Sequence, residues 1–252
     1  MREFSGGEFS GKTAIVTGGS RGIGLTVATL LVERGARVVL VGRNGAALAA
    51  AADRLGEAAA IVAGDIAQAD TATRAVAKAI DHGGGLDILA NIAGIFPTAR
   101  IEETSDALFA DTIAANLTGA MIFCRAAFPI LRERGGAIVN MSSTAARFPT
   151  PGLSVYAAAK AGVEAFTRTL AVEGAPAIRV NAVSAGPTHT EAVDALMASD
   201  TTGAVEAVTS ALPLGRLGEP GEIAEAILFL ASARASFITG QILHANGGGL
   251  MA

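Results

Sequence analysis

Seven short apolar runs, separated by stretches of helical spacing, set the tightest limit on what this chain can fold into. They fall at 13–17, 37–41, 59–63, 86–90, 136–141, 178–183 and 241–244. Each is continuous rather than alternating, the pattern of strands covered on both faces of a parallel sheet. Between them the spacing predicts helices over 23–34, 46–55, 71–80, 106–134, 153–173, 190–211 and 219–230. Gly35 fits a stop after the first helix, and Pro129 a bend in the fourth. Strand–helix alternation without a dividing linker predicts a single α/β domain over residues 1–252, built on a doubly wound parallel sheet.

Composition agrees with a packed domain and removes several classes of function. Hydrophobic residues make up 51% and charged residues 17%, which excludes a disordered chain. With a net charge of −4 and no basic run, nucleic acid is not an expected partner. No run of 18 apolar residues suggests a membrane span. Segment 1–10 is polar and Gly-rich with no signal core, so it reads as a flexible extension and the expected compartment is the cytoplasm. The single Cys124 rules out an intrachain disulfide, and its apolar helical setting reads as a buried, inert thiol. No His, Asp or Glu cluster has ligand spacing, so no metal is expected.

Two stretches carry chemistry. Tyr156 and Lys160, four residues apart in a helical stretch, share one face one turn apart. A phenol has an unperturbed pKa of about 10, and a nearby ammonium favours the phenolate. Tyr156 could then exchange a proton with an alcohol or carbonyl, with Ser143 hydrogen-bonding the same oxygen. The alternative is two exposed residues on an amphipathic helix. The second stretch, Thr17-Gly-Gly-Ser-Arg-Gly-Ile-Gly24, joins the first strand to the first helix. There Gly18, Ser20, Arg21, Gly22, Ile23 and Gly24 make a turn whose backbone N–H groups can approach a phosphate at the positive end of a helix. A purely structural turn is the alternative.

Sheets of this kind bind ligands outside the carboxyl ends of their strands. Gly42 and Arg43 follow the second strand, Asp65 and Ile66 the third, and Asn91, Ile92, Ala93 and Gly94 the fourth. Asp65 could reach an adenine edge or cap a helix. Asn91 could line the crevice or only make a turn, while small Ala93 and Gly94 let a nucleotide lie close.

The ordered set of 17–24, Asp65, 91–94, Asn116, Ser143, Tyr156, Lys160 and 181–186 resembles the short-chain dehydrogenase/reductase family, in its common subgroup of chains of this length. The likeness runs from Gly11 to Gly249, and the phrase Ile238-Thr-Gly-Gln241 near Gly247 and Gly248 is similar to many bacterial members, among them 3-oxoacyl-carrier-protein reductases. The resemblance implies a tetrad. Tyr156 would be the general acid/base. Lys160 would lower its pKa and bind the nicotinamide ribose. Ser143 would orient the substrate oxygen, and Asn116 would hold a water in a proton relay with Lys160. It adds Gly186, Thr188 and Thr190 to the nucleotide site, together with Tyr156 and Lys160. It also implies a substrate pocket with Ser143, Ala145, Phe148, Tyr156 and His189, drawn from 95–96, 145–153 and a mobile loop over 188–212. For His189 an exposed loop histidine is the favoured reading over a substrate contact. Ile92, Ala185 and Asn246 depart from the Asn, Pro and Asp common at those places, and Ala185 leaves the loop after the sixth strand less constrained.

The implied activity is the interconversion of a ketone and a secondary alcohol. The substrate is either a 3-oxoacyl thioester, on carrier protein or coenzyme A, or a small or cyclic alcohol or ketone. A carrier protein would favour basic residues at the pocket mouth, with Arg147 a candidate. A non-catalytic nucleotide-binding regulator on this fold would have lost a tetrad member, and all four are present. NADP(H) is expected over NAD(H). An acidic residue at the end of strand two would repel a 2′-phosphate, whereas Gly42 carries no charge and Arg43 and Arg21 can grip one. Alternatively Arg43 stacks on adenine or faces solvent, and Arg21 merely starts a helix. Helices around 121–131 and 157–170, apolar on more than one face, suggest coverage by partner subunits in a homotetramer.

Overall fold

In the computed structural model, which describes residues 7–199 and 203–251, the first apolar run becomes β1 (Thr13–Thr17), an inner strand of a seven-stranded sheet. The chain continues through α1 (Gly22–Glu33), β2 (Arg37–Gly42), α2 (Gly45–Leu55), β3 (Ala59–Ala63), α3 (Ala69–Gly83) and β4 (Ile88–Asn91). Then come α4 (Asp106–Ile113), α5 (Gly119–Arg134), β5 (Ala137–Ser143), α6 (Ser154–Gly174) and β6 (Arg179–Ala185). Last are α7 (Glu191–Ser199), α8 (Ala204–Ala211), α9 (Pro220–Ala231) and β7 (Ile242–Ala245). The strands lie in the order β3-β2-β1-β4-β5-β6-β7, all parallel, which is the doubly wound sheet expected.

Each face of the sheet has its own core. One packs Val27 and Leu31 of α1, Leu48 of α2 and Ile223 and Ile227 of α9. The other packs Ala75 of α3, Phe123 and Leu131 of α5 and Leu170 of α6. Successive strand residues feed opposite faces: Ala14 and Val16 join the first core and Ile15 the second. Burial on both sides is why the strands are apolar throughout. Chain order reverses between β1 and β4, and a crevice opens there outside the carboxyl ends.

The structure departs from the sequence reading in several places. The fourth strand starts at Ile88 rather than at residue 86. The helical stretch 106–134 is interrupted at Ala114–Thr118, a π segment containing Asn116, while Pro129 sits inside α5, which continues to Arg134. A π turn adds a residue to the helical circuit and re-aims side chains, and no hydrophobic spacing announces it. The helix expected over 190–211 is two helices, α7 and α8, and Gly203 (φ 73°) takes a left-handed conformation that a helix cannot continue through. Residues 200–202 lie outside the described residues. Finally, residues 7–10 are not an extension. Phe9 is 2% exposed within the first core and donates its N–H to Arg34 O at 2.9 Å, and Glu8 pairs with Arg34 and Arg234. Residues 1–6 lie outside the described residues.

The stretch Asp106–Arg134 is, by length and composition alone, apolar enough to cross a membrane. In this fold Phe123, Cys124, Ala127 and Leu131 pack on the sheet instead, while Phe109 and Met121 remain exposed.

The burial of Phe9 gives a direct check on the N-terminal segment. Phe9→Ala should lower the unfolding free energy by about 3–5 kcal/mol, the usual cost of emptying a phenylalanine site. Urea unfolding measures it, and an unchanged midpoint would show residues 7–10 to be a free extension after all.

Candidate active site

The crevice begins where β1 ends. The chain turns at Gly18 (φ 71°), and a Cβ there would lie 3.0 Å from Ala93 Cα. At Gly24, in the first turn of α1, a Cβ would meet Gly18 O at 2.2 Å. The two glycines let α1 start tight against the strand it follows, with its N-terminus facing the crevice. Thr17 Oγ1 accepts from Ile92 N at 2.9 Å and Ala93 N at 3.1 Å, so the last side chain of β1 holds the loop after β4 beside the turn. Ile23 packs on the first core, and Ser20 Oγ lies 3.9 Å from where a Cβ on Gly42 would stand.

A dinucleotide fits this lining. With no Cβ at Gly18 or Gly94, Ala93 packs against the turn and Asn116 against the loop after β4, which keeps the two stretches of backbone low at the crevice edge. The nearest side chains to a Cβ on Gly42 are Leu48 and Ser20, at ordinary contact distance, and exposed Arg43 follows it. Asp65 Oδ1 accepts from Ala67 N at 2.9 Å and so braces its own loop; it is not the cap of α3, which is Gln68. Ile66 turns its side chain into the second core against Gly119. Gly186 packs against Asn246, and Thr188 Oγ1 donates to Gly186 O at 2.9 Å. Thr190 stands near Gly22, whose Cβ would lie 3.8 Å from Thr190 Cγ2.

Two sequence assignments change at this site. Asn91 does not line the crevice with its side chain. Its Nδ2 donates to Asn140 Oδ1 at 2.9 Å inside the sheet, and Asn140 Nδ2 reaches Thr167 Oγ1 of α6, so these amides tie β4, β5 and α6 together. Arg21 is not free: Nη1 pairs with Glu191 Oε2 at 2.9 Å.

On the far side of the crevice, β5 ends in Ser143 and α6 presents Tyr156 and Lys160 from one face. Lys160 is 3% exposed; its Nζ donates to Met141 O at 2.9 Å and lies 5.7 Å from the Tyr156 ring centroid. The Phe96 ring meets Tyr156 edge-on, centroids 5.0 Å apart. Asn116 arrives from the π segment. Its Nδ2 donates to Ile95 O and Thr112 O, each at 3.0 Å, and its Oδ1 is buried without a partner among the described residues. A Cβ on Gly94 would lie 2.5 Å from that oxygen and 3.7 Å from Lys160 Nζ, so Asn116 and Lys160 border the same stretch of backbone. All four residues of the expected tetrad therefore converge.

Burial sets the proton chemistry. It pushes the Tyr156 phenol up, with the Ser143 hydroxyl drawing it back, and it brings the Lys160 ammonium down to about 8. In this arrangement burial, rather than Lys160, dominates the phenol, which corrects the simple expectation from spacing. Burial likewise raises the Cys124 thiol to about 12, which leaves it inert.

Of the expected substrate-pocket residues, Ala145 is buried, Phe148 is exposed, and His189 Nδ1 pairs with Asp194 Oδ1 at 3.1 Å. Arg147, the candidate cation for a carrier, is held by Glu164, with Nε 3.0 Å from Oε2. Glu164 went unread in the sequence. It lies one turn beyond Lys160 on α6, buried, and also accepts from Ser142 Oγ at 3.2 Å. It thus anchors both the strand end and the loop that flank Ser143. A carboxylate at the i+4 position from a buried lysine, on the face turned to the sheet, was the available signal.

A family model described as enoyl-(acyl carrier protein) reductase matches residues 18–249. The chain is 39% identical over 243 residues to a 3-oxoacyl-(acyl-carrier-protein) reductase FabG of Chlamydia trachomatis serovar D, covering 94% of this chain and 96% of the relative. It is 39% identical over 239 residues to carbonyl reductase family member 4 of Danio rerio, covering 94% of this chain and 97% of that one. Among solved structures, a short-chain dehydrogenase/reductase from Brucella melitensis, described as SDR:Glucose/ribitol dehydrogenase, is 38% identical with a TM-score of 0.92, covering 98% of this chain and 100% of the other.

The depressed Lys160 has a thermodynamic signature. Between about pH 8 and its ordinary value of 10.5, the unfolded chain carries a proton on Lys160 that the folded chain has released. Stability contributed by this residue therefore rises with pH across that window. The difference in unfolding free energy between wild type and Lys160→Met should move toward wild type from pH 8 to pH 10. A difference flat with pH would show an unperturbed lysine.

Proposed function

Because this chain belongs to the short-chain dehydrogenase/reductase family and is an NAD(P)-dependent oxidoreductase, we propose that it reduces a ketone to a secondary alcohol, or runs the reverse reaction, with NADP(H) as its cofactor. The observation that carries the reading is the convergence of Ser143, Tyr156, Lys160 and Asn116 around Gly94. The nicotinamide supplies the hydride when bound, and the chain's own residues handle the proton and the positioning. Tyr156 gives its phenolic proton to the oxygen of the reduced carbonyl, or takes it back in the reverse direction. Ser143 hydrogen-bonds that oxygen and fixes the face presented. Lys160, dry and close to neutral pH in its titration, replenishes the phenol through a water held by the unpartnered Asn116 Oδ1.

The cofactor contacts proposed are the turn Gly18, Ser20, Arg21, Gly22, Ile23 and Gly24, then Arg43, Asp65, Ile66, Asn91, Ala93, Gly94, Gly186, Thr188 and Thr190. Asn91 and Ile66, whose side chains turn into the protein, would serve through their backbones. NADP(H) is favoured by the uncharged Gly42 and the exposed Arg43 after it. A 3-oxoacyl thioester is the first substrate to test, since a relative carries that activity in its name. A free ketone is the second, with Phe96 and Phe148 as apolar wall. The segment that carries α7 and α8 serves as the substrate cover. We place the enzyme in the cytoplasm as a homotetramer, with exposed Phe109 and Met121 on the α4–α5 side as buried contacts between subunits.

Tyr156→Phe should bind NADPH nearly as wild type and lose about 10²-fold or more in turnover, measured at 340 nm with acetoacetyl-coenzyme A and with a cyclic ketone. Near-native turnover with chemistry rate-limiting would remove Tyr156 from its role. Wild-type kcat/KM should favour NADPH over NADH by about 10²-fold, the scale of two charge-assisted hydrogen bonds; a preference for NADH would overturn the cofactor assignment. Light scattering at micromolar concentration should give a tetramer mass, and a monomer would rule the assembly out.

A further inference from the structure

The ion pair between Arg21 Nη1 and Glu191 Oε2 joins the glycine-rich turn to the first residue of α7. The two side chains are 71% and 67% exposed, so nothing in the packing demands the pair. The chain on either side is already close, with Thr190 Cγ2 3.8 Å from a Cβ position on Gly22. Glu191 thus already occupies one edge of the Arg21 guanidinium.

This inference rests on the NADP(H) reading. Arg21 is one of the two cations proposed for the 2′-phosphate, and a carboxylate already occupies it. We propose that Glu191 is a specificity-determining residue for the cofactor, a competitor within the chain that weakens binding of 2′-phosphorylated nucleotides and leaves 2′-hydroxyl nucleotides unaffected. A guanidinium has five N–H donors, so Arg21 could in principle hold both anions. Either way affinity is lost. If Arg21 leaves Glu191, the ion pair is given up. If it stays, a carboxylate is brought beside a phosphate dianion, and like charges oppose binding. A 2′-hydroxyl carries no charge and incurs neither penalty. Exposed ion pairs are weak, so the effect should be about two- to fivefold and should shrink as salt is raised.

Calorimetric titration of the full-length protein with 2′,5′-ADP and with 5′-AMP isolates the 2′-phosphate without any turnover. Glu191→Gln should tighten 2′,5′-ADP about two- to fivefold and leave 5′-AMP as in wild type, which also shows the variant to be folded. In an Arg21→Ala background the gain should vanish. Unchanged or weaker 2′,5′-ADP binding by Glu191→Gln overturns the inference, as does a gain that persists without Arg21. Wild type binding the two nucleotides alike would instead remove the NADP(H) reading, and this inference with it.

Discussion

Parallel strands leave a sheet in one direction only. A chain that pairs them must return over a face each time, so every carboxyl end collects at the same edge. In this molecule that constraint assembles the site. Thr17, Gly42, Asn91 and Ser143 end or nearly end their strands, and the loops that follow bring Arg43, Gly94 and Ala145 to the same edge. The helices contribute only where their own geometry points them there: α1 by its N-terminus, α6 by one face, and the α4–α5 pair through a π segment. No single element contains the site. The reversal of chain order between β1 and β4 decides where it can be.

Holding titratable groups at such a place has an energetic cost, and the structure shows how it is offset. Lys160 is dry, with one carbonyl partner, Met141 O, and its ammonium is held near neutrality as a consequence. Glu164 is buried one turn away, but it is satisfied by Ser142 and by Arg147, with Arg168 Nη1 3.7 Å off. The contrast separates two uses of buried charge on one helix. The fully partnered carboxylate fixes strand end and loop. The sparsely partnered amine keeps a titration within reach of neutral pH.

The sequence made the sheet legible because burial on both faces leaves an unambiguous pattern, continuous apolar runs between helical spacings. Tyr156, Lys160 and Ser143 were legible for a similar reason: their spacing is local and the fold carries it unchanged. What stayed hidden depended on contacts far apart in sequence or on backbone states without a side-chain code. The π segment at Asn116 leaves no periodic mark. Phe9 is one aromatic residue in a Gly-rich segment, and it is buried by a core drawn from the length of the chain rather than by its neighbours. The direction of the Asn91 side chain depends on Asn140, 49 residues later, whose position as a polar residue in an apolar strand was the only hint. Arg21 and Glu191 are 170 residues apart, beyond any reading of the turn by itself.

The residue at 246 shows how a departure from a family pattern can be read physically. An aspartate has acceptors only. Asn246 is buried, accepts Gly248 N at 3.0 Å through Oδ1 and donates through Nδ2 to Leu250 O at 3.0 Å. The second bond needs a donor, which a carboxylate lacks unless protonated. Gly186 packs directly on the Asn246 backbone, where a Cβ would come within 2.6 Å of Asn246 Cα. Closing both ends of the side chain onto the C-terminal turn therefore also fixes the floor beneath Gly186 and the start of the loop carrying Thr188. Ala185, in place of a proline, is held by its pairing with Ala245 in the adjoining strand, and Gly186 N continues that ladder to Ala245 O at 3.0 Å. The rigidity a proline ring would impose on this loop is supplied here by the last strand and by a neutral amide at its end.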